Sequence, residues 1–258
     1  MKKIIFLILL LGLLVGVFIY RDKGHQFSKR QIFLGIVPHD TSASFIIADF
    51  FQRLSVENPS VVILVGPNHF ERGDFKVLSG VSSWQTSFGN VEAEKKIIEN
   101  LKNQGLLKID EETLKNEHSI GALMPFFKFY LSKALVVPII LSNHLSIEEI
   151  NVLANKLESY VRAGIPLVVS LDFSHYLRNK EAQEKDELTL KLIKNFDYYN
   201  IIQLKSDYLD SPPSLILLLM LAQRLSKNNF EIFYHTNSGE VLRMDHIPTT
   251  SWFSGVFR

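Results

Sequence analysis

The chain has 258 residues, 47% of them hydrophobic and 21% charged, and a formal net charge of +1. That balance is globular, and it has neither the basic stripe of a nucleic-acid binder nor the charge excess of a disordered chain. No cysteine is present, which excludes disulfides, thiolate zinc sites, iron–sulfur clusters and a cysteine nucleophile, and leaves any metal to His, Asp, Glu or backbone oxygen.

The first element is apolar. Two lysines, Lys2 and Lys3, precede an uncharged stretch from Ile4 to Tyr20, which Arg21-Asp22-Lys23 closes. Such a segment is a secretory signal or a single transmembrane helix. Its end, Val15-Gly16-Val17-Phe18-Ile19-Tyr20, is too bulky for the usual cleavage pattern. An uncleaved membrane anchor over residues 1–20 is therefore expected, with residues 21–30 as linker and 31–258 as one domain. The leading lysines keep the N-terminus inside, so the expectation is a membrane-anchored protein with an extracytoplasmic body.

Strands and helices then alternate. Residues 31–37 read as a buried strand, and 42–54 have helical spacing behind the capping pair Asp40-Thr41. Val61–Val65 is a second buried strand, and 75–78 a short one. Helices are expected over 91–104 and 117–131, and a strand over 135–141. Ser146, followed by Glu149, has the spacing of a capping box. A strand over 165–171, helices over 179–196 and 214–225, and strands over 230–234 and 252–257 complete the chain. This alternation predicts an α/β sandwich: one central mixed, largely parallel sheet flanked by helices, preceded by the N-terminal transmembrane helix.

In open sheets of this kind ligands collect outside the carboxyl ends of the strands. Three predicted strands end in polar residues there: Val37-Pro38-His39-Asp40, Gly66-Pro67-Asn68-His69, and Leu171-Asp172-Phe173-Ser174-His175. Asp210 in the segment LDSPPS is a further candidate. If the strands are parallel neighbours, histidines and carboxylates gather at one edge. Two histidines and one carboxylate form the facial triad of non-haem iron sites, and a nearby unligated histidine suits proton transfer. Each residue also has a plainer reading: a histidine after a strand is commonly a loop residue, and Asp172 or Asp210 can simply cap a helix. His25, His144, His235 and His246 lack such a context and read as surface or packing residues.

The segments VPHD, LVGPNHF, WQTSFGNVEAE, NEHSIGALMPFF, VVPIIL, VVSLDFSHY and NSGE, in that order, resemble the Memo-like family, also called AmmeMemoRadiSam system protein B. The resemblance covers roughly residues 32–258. It implies a fold related to class III extradiol dioxygenases, whose metal site uses two histidines and a carboxylate. It further implies His39 and His69 as metal ligands, Asp172 and His175 in the same pocket with His175 as acid–base residue, and Glu117 and His118 near the site. AMMECR-type and radical SAM proteins are implied as pathway partners. The family usually supplies a cysteine as third ligand; here Asp210 takes its place, or Ser211 if the alignment slips by one. Gly121 stands where an acidic residue is usual, and Thr86-Ser87-Phe88-Gly89 replaces a TPLG motif.

The function expected from this reading is a metal-dependent oxidoreductase acting on an unnamed small molecule, with iron, or else copper or zinc, held by His39, His69 and Asp210. A zinc-dependent hydrolase using the same residues, and a non-enzymatic tethered binding module, are the alternatives. A serine hydrolase built on Ser170, Ser174 and His175 falls away because no G-x-S-x-G elbow is present, and a nucleotide site falls away because no P-loop or G-x-G-x-x-G is present.

Overall fold

The apolar runs of the sequence become the middle of a sheet. The computed structural model describes residues 34–244 and 247–258. In chain order the strands are β1 (Leu34–Val37), β2 (Val61–Pro67), β3 (Val77–Ser79), β4 (Trp84–Thr86), β5 (Gly89–Val91), β6 (Lys108–Ile109), β7 (Leu135–Leu141), β8 (Leu167–Ser170), β9 (His175–Leu177), β10 (Phe230–Asn237) and β11 (Thr249–Phe257). The helices are α1 (Ser44–Val56), α2 (Lys95–Asn103), α3 (Glu111–Lys115), α4 (His118–Gly121), α5 (Met124–Tyr130), α6 (Ile147–Arg162), α7 (Asn179–Lys194), α8 (Tyr198–Ile201), α9 (Pro212–Arg224) and α10 (Ser238–Leu242).

The main sheet runs β10-β11-β1-β8-β2-β7-β3-β6, with β9 added against β11. Its centre, β1-β8-β2-β7, is parallel. On one side β11 joins β1 antiparallel, and on the other β3 joins β7 antiparallel. The sheet is mixed, as expected, and β4 and β5 form a separate hairpin.

Side chains alternate across the central strands, so each face builds its own core. Ile63, Val65, Val137, Ile139, Leu167 and Val169 face one layer with α6 and α9. Val62, Leu64, Val136, Ile140 and Val168 face the other with α1 and α5. Helix α9 is buried from Pro212 to Ala222, which explains why its sequence is apolar all round. Ser211 caps it, its hydroxyl accepting the Ser214 N–H at 3.3 Å, and prolines fill its first turn. The capping box at Ser146 and Glu149 is formed at the start of α6.

Two elements depart from expectation. The helix expected over 117–131 is split into α4 and α5, because Pro125 lacks the N–H that a continuous helix needs there and instead sits in the first turn of α5. The β4–β5 hairpin replaces the beginning of the helix expected from residue 91, and α2 starts only at Lys95.

The transmembrane helix is the expectation that requires correction. Among the described residues no helix is long and apolar enough to cross a membrane. No membrane-spanning helix is therefore assigned ahead of the fold, and the membrane, signal and extracytoplasmic assignments drawn from it are withdrawn. The segments on which they fell, 1–20 and 21–30, lie outside the described residues.

Gly66, near the end of β2, answers to close packing. A Cβ there would lie 2.7 Å from Ser119 Oγ and 2.9 Å from Ser119 Cβ. The glycine lets α4 press against the strand end. Gly66→Ala is expected to lose about 1–3 kcal/mol, the usual cost of overpacking, read as a lower urea midpoint at constant m-value. An unchanged midpoint would mean that α4 has room to withdraw.

Candidate metal centre

Because β1, β8 and β2 are parallel neighbours, their carboxyl ends deliver His39, Asp172 and His69 to one place. Asp210 arrives from the loop before α9, held by its own N–H to the Asp172 carbonyl at 3.2 Å. Asp210 Oδ2 in turn accepts the Asp172 N–H at 3.2 Å. His39 Nε2 lies 3.2 Å from Asp210 Oδ2 and 3.5 Å from Asp172 Oδ2. His69 Nε2 lies 3.6 Å from the same Asp210 oxygen. Ser211, the other alignment choice, spends its hydroxyl on Ser214 and leaves the carboxylate of Asp210 to face the histidines.

Hydrogen bonds on the far side of each ring set its tautomer. The Ser170 hydroxyl donates its one proton to the Ser119 carbonyl at 2.6 Å. Toward His39 Nδ1, 2.9 Å away, it can only accept, so Nδ1 carries the hydrogen and Nε2 the lone pair. Glu117 Oε1 accepts from His69 Nδ1 at 2.8 Å, which again leaves Nε2 as the lone-pair nitrogen. Metal-binding histidines are typically oriented in this way. Glu117 is buried and also accepts the His69 N–H through Oε2 at 2.8 Å and the Ser119 N–H at 2.9 Å.

Titration follows from these contacts. Burial lowers the pKa of His39. Burial acts on His69 in the same sense, but its bonds to Asp210 and Glu117 prevail and raise it to about 9. Burial works to raise Glu117, yet the bonds from His69 and the Ser119 N–H hold it down to about 2. Asp172 is pushed well up, by burial and then by the Asp210 charge. His118 is lowered by burial and by the adjacent His69 and His39.

Linkage gives the metal-free protein a stability window. The raised His69 contributes fully below its ordinary 6.5 and loses the contribution as pH rises through 9. The depressed Glu117 contributes fully above its ordinary 4.5 and loses it as pH falls through 2. The Tm gap between metal-free parent and His69→Gln protein is therefore expected to be widest between pH 4.5 and 6.5 and to narrow by pH 9. A gap independent of pH would deny the ion pair.

Two donor sets have atoms mutually within 4.8 Å: His39, Asp172 and Asp210, and His39, His69 and His118. They share His39. Asp210 Oδ1 is buried and has no hydrogen-bond partner among the described residues, an orphaned carboxylate oxygen that a cation would satisfy. The donor types are imidazole and carboxylate, borderline to hard in character, so the residues present fit a divalent ion.

The other expected residues divide. His118 stacks on His69, with ring centroids 4.1 Å apart, and its side chain is 55% exposed. Asp172 ties the strand ends together by accepting the His39 N–H at 3.1 Å and the Asp40 N–H at 3.1 Å. His175 is not brought into the histidine group. Its strand β9 pairs with β11, and its Nδ1 meets the Ser206 carbonyl at 3.1 Å. Asn68 does not enter the site either, because its side chain closes a loop onto the Arg72 backbone. Gly121 faces open space, and a Cβ added there would meet nothing within 4 Å. His144 is exposed, His235 pairs with Asp186 and stacks on Phe253, and His25 and His246 lie outside the described residues.

Sequence reasoning gave no role to Ser119, Ser170 or Asn143. The first two sit inside the EHS and SLDFSHY segments, where their spacing from the histidines was a usable signal. Asn143 follows the end of β7, next to β2, and its side-chain amide donates to the Asp210 carbonyl at 3.0 Å.

Comparison with known proteins follows the same lines. The family model described as Memo-like protein matches residues 17–247. A MEMO1 family protein of Sulfurisphaera tokodaii is 28% identical over 226 residues, which cover 83% of this chain and 79% of that protein. One of Saccharolobus solfataricus is 25% identical over 232 residues, covering 84% and 80%. Among solved structures, an uncharacterized protein of Escherichia coli K12 superposes with a TM-score of 0.57 at 14% identity, over 88% of this chain and 100% of that one. At that identity the likeness concerns the fold alone.

Proposed function

As the chain belongs to the Memo-like family, we propose that it is a metal-dependent oxidoreductase whose divalent ion, iron, is held by His39, His69 and Asp210. One observation carries the reading. His39 Nε2, with its lone pair fixed, and His69 Nε2 lie 3.2 and 3.6 Å from one oxygen of Asp210, an arrangement that is repulsive unless a cation or a proton lies among them. In the metal-free protein the proton on His69 serves that need. The carboxylate hardens the donor set and favours iron over softer-site copper.

A bound redox-active ion would supply electron chemistry toward oxygen or a small substrate. The chain's own residues do the rest. Glu117 and Ser170 hold the two rings in the ligand tautomer. Asp172, with its raised pKa, can hold a proton beside His39. His118, lowered and half-exposed at the rim, is neutral at pH 7 and suited to take a proton at a ring nitrogen. His175 is kept at the Ser206 carbonyl, and proton movement is assigned here to His118 in its place.

The test is metal analysis of protein purified without chelator, followed by anaerobic ferrous loading and oxygen uptake with candidate substrates. About one equivalent of iron with oxygen consumption supports the oxidoreductase. Oxygen-independent turnover that survives in the zinc-loaded protein would instead make it a hydrolase. Failure to take up any metal would leave a binding module.

A further inference from the structure

His69 and Asp210 reach the centre on different loops, one after β2 and one before α9. We infer that Asn143, just past the end of β7, is the positioning residue that fixes one loop against the other. The inference rests on the metal reading above and concerns a residue outside its ligands.

Asn143 makes one bond to each loop. Its backbone N–H donates to Glu71 Oε1 at 2.7 Å, two residues beyond His69. Its side-chain amide donates to the Asp210 carbonyl at 3.0 Å. Asp210 is thereby held at both ends of its backbone, since its N–H already donates to the Asp172 carbonyl at 3.2 Å. With N–H and carbonyl both tied, the direction of the Cα–Cβ bond is set. The place of the carboxylate against the two Nε2 atoms follows from it. The brace also springs from the ladder that carries His69. Strands β2 and β7 pair as far as Pro67 and Leu141, and the Asn68 N–H continues to the Leu141 carbonyl at 2.9 Å.

Glu71 marks the contact as a built one. Its φ is 48°, in the left-handed region, which costs a residue with a side chain about 1–2 kcal/mol. Two bonds hold it there: its N–H donates to the Asn68 carbonyl at 3.1 Å, and its carboxylate accepts from Asn143. Strain of this kind persists where the surroundings over-determine it, and it gathers at functional sites.

The test is made on the full chain, freed of metal by chelator. Ferrous affinity is read by chelator competition, ligand geometry by the visible bands of the cobaltous protein, and fold by the metal-free Tm. Asn143→Leu keeps the N–H bond to Glu71 and removes the amide donor. It is expected to bind iron about ten-fold more weakly, as when a supporting group is lost, with shifted cobalt bands and a Tm near the parent's, because Asn143 is exposed. Glu71→Gly should also lose affinity without losing Tm, since glycine is at ease at that φ. Glu71→Gln keeps an oxygen for the Asn143 N–H and should bind as the parent does. Parental affinity and cobalt bands in Asn143→Leu, a lower Tm with affinity unchanged, or a loss in Glu71→Gln as large as in Glu71→Gly would overturn this inference alone. A parent that takes up neither iron nor cobalt would overturn the metal reading and this inference with it.

Discussion

His39→Ala protein is expected to bind ferrous iron more than about 10³-fold more weakly than the parent. Loss of a supporting contact alone typically costs 10–100-fold, and His39 is a member of both donor sets. The residue is 3% exposed and lies directly against Asp210, so its removal takes away the donor nearest that carboxylate. Thermal melts of the metal-free variant separate loss of ligand from loss of fold. Companion variants then choose between the proposed ligands and the three-histidine set. With His39, His69 and Asp210 as ligands, Asp210→Asn loses iron and His118→Ala keeps it. The opposite pattern would make the centre a three-histidine one. Full iron affinity in His39→Ala would sink the metal assignment altogether.

Glu117→Gln should weaken metal binding by about 10–100-fold without removing a ligand. The carboxylate accepts three N–H donors, two through Oε1 and one through Oε2. An amide has only one oxygen. If that oxygen keeps His69 Nδ1 and the Ser119 N–H, the NH₂ must face the His69 backbone N–H, donor against donor, at a site 2% exposed. Leaving such a buried group unsatisfied costs about 1–3 kcal/mol. Affinity measured by chelator competition, together with a urea midpoint, reads both effects. A variant with parental affinity would show that the ring of His69 does not need its carboxylate.

The strand-end residues were legible in the sequence for a physical reason. A parallel strand covered on both faces is a continuous apolar run, and its end is marked by the first polar residues, as at Pro38-His39 and Pro67-Asn68-His69. What the runs do not encode is neighbourhood. That β8 lies between β1 and β2 comes from the tertiary arrangement, and the grouping of His39 with His69 depended on it. The resemblance set His175 in one pocket with Asp172, and His175 does act on the Asp172 carboxyl; its ring Nδ1 meets the Ser206 carbonyl from the short β9, which pairs with β11, with Tyr176 at a positive φ of 60°. The division of residues 117–131 into two helices was marked by Pro125, but strong apolar spacing on either side masked it. The β4–β5 strands are three residues each, too short for an alternation to register; Gly89, at φ 111°, was the available turn signal.

Ser119 takes part in the support of both imidazoles. Its N–H bonds Glu117, which orients His69, and its carbonyl accepts from Ser170, which orients His39. Its hydroxyl is anchored to the Pro67 carbonyl at 2.9 Å. The two rings therefore share one reference point, and a shift of that single residue misaims them together. Supporting substitutions around it should combine less than additively, since the first already slackens what the second would disturb. Anyone transplanting this centre to another sheet would have to carry the small turn of α4 along with the three strand ends.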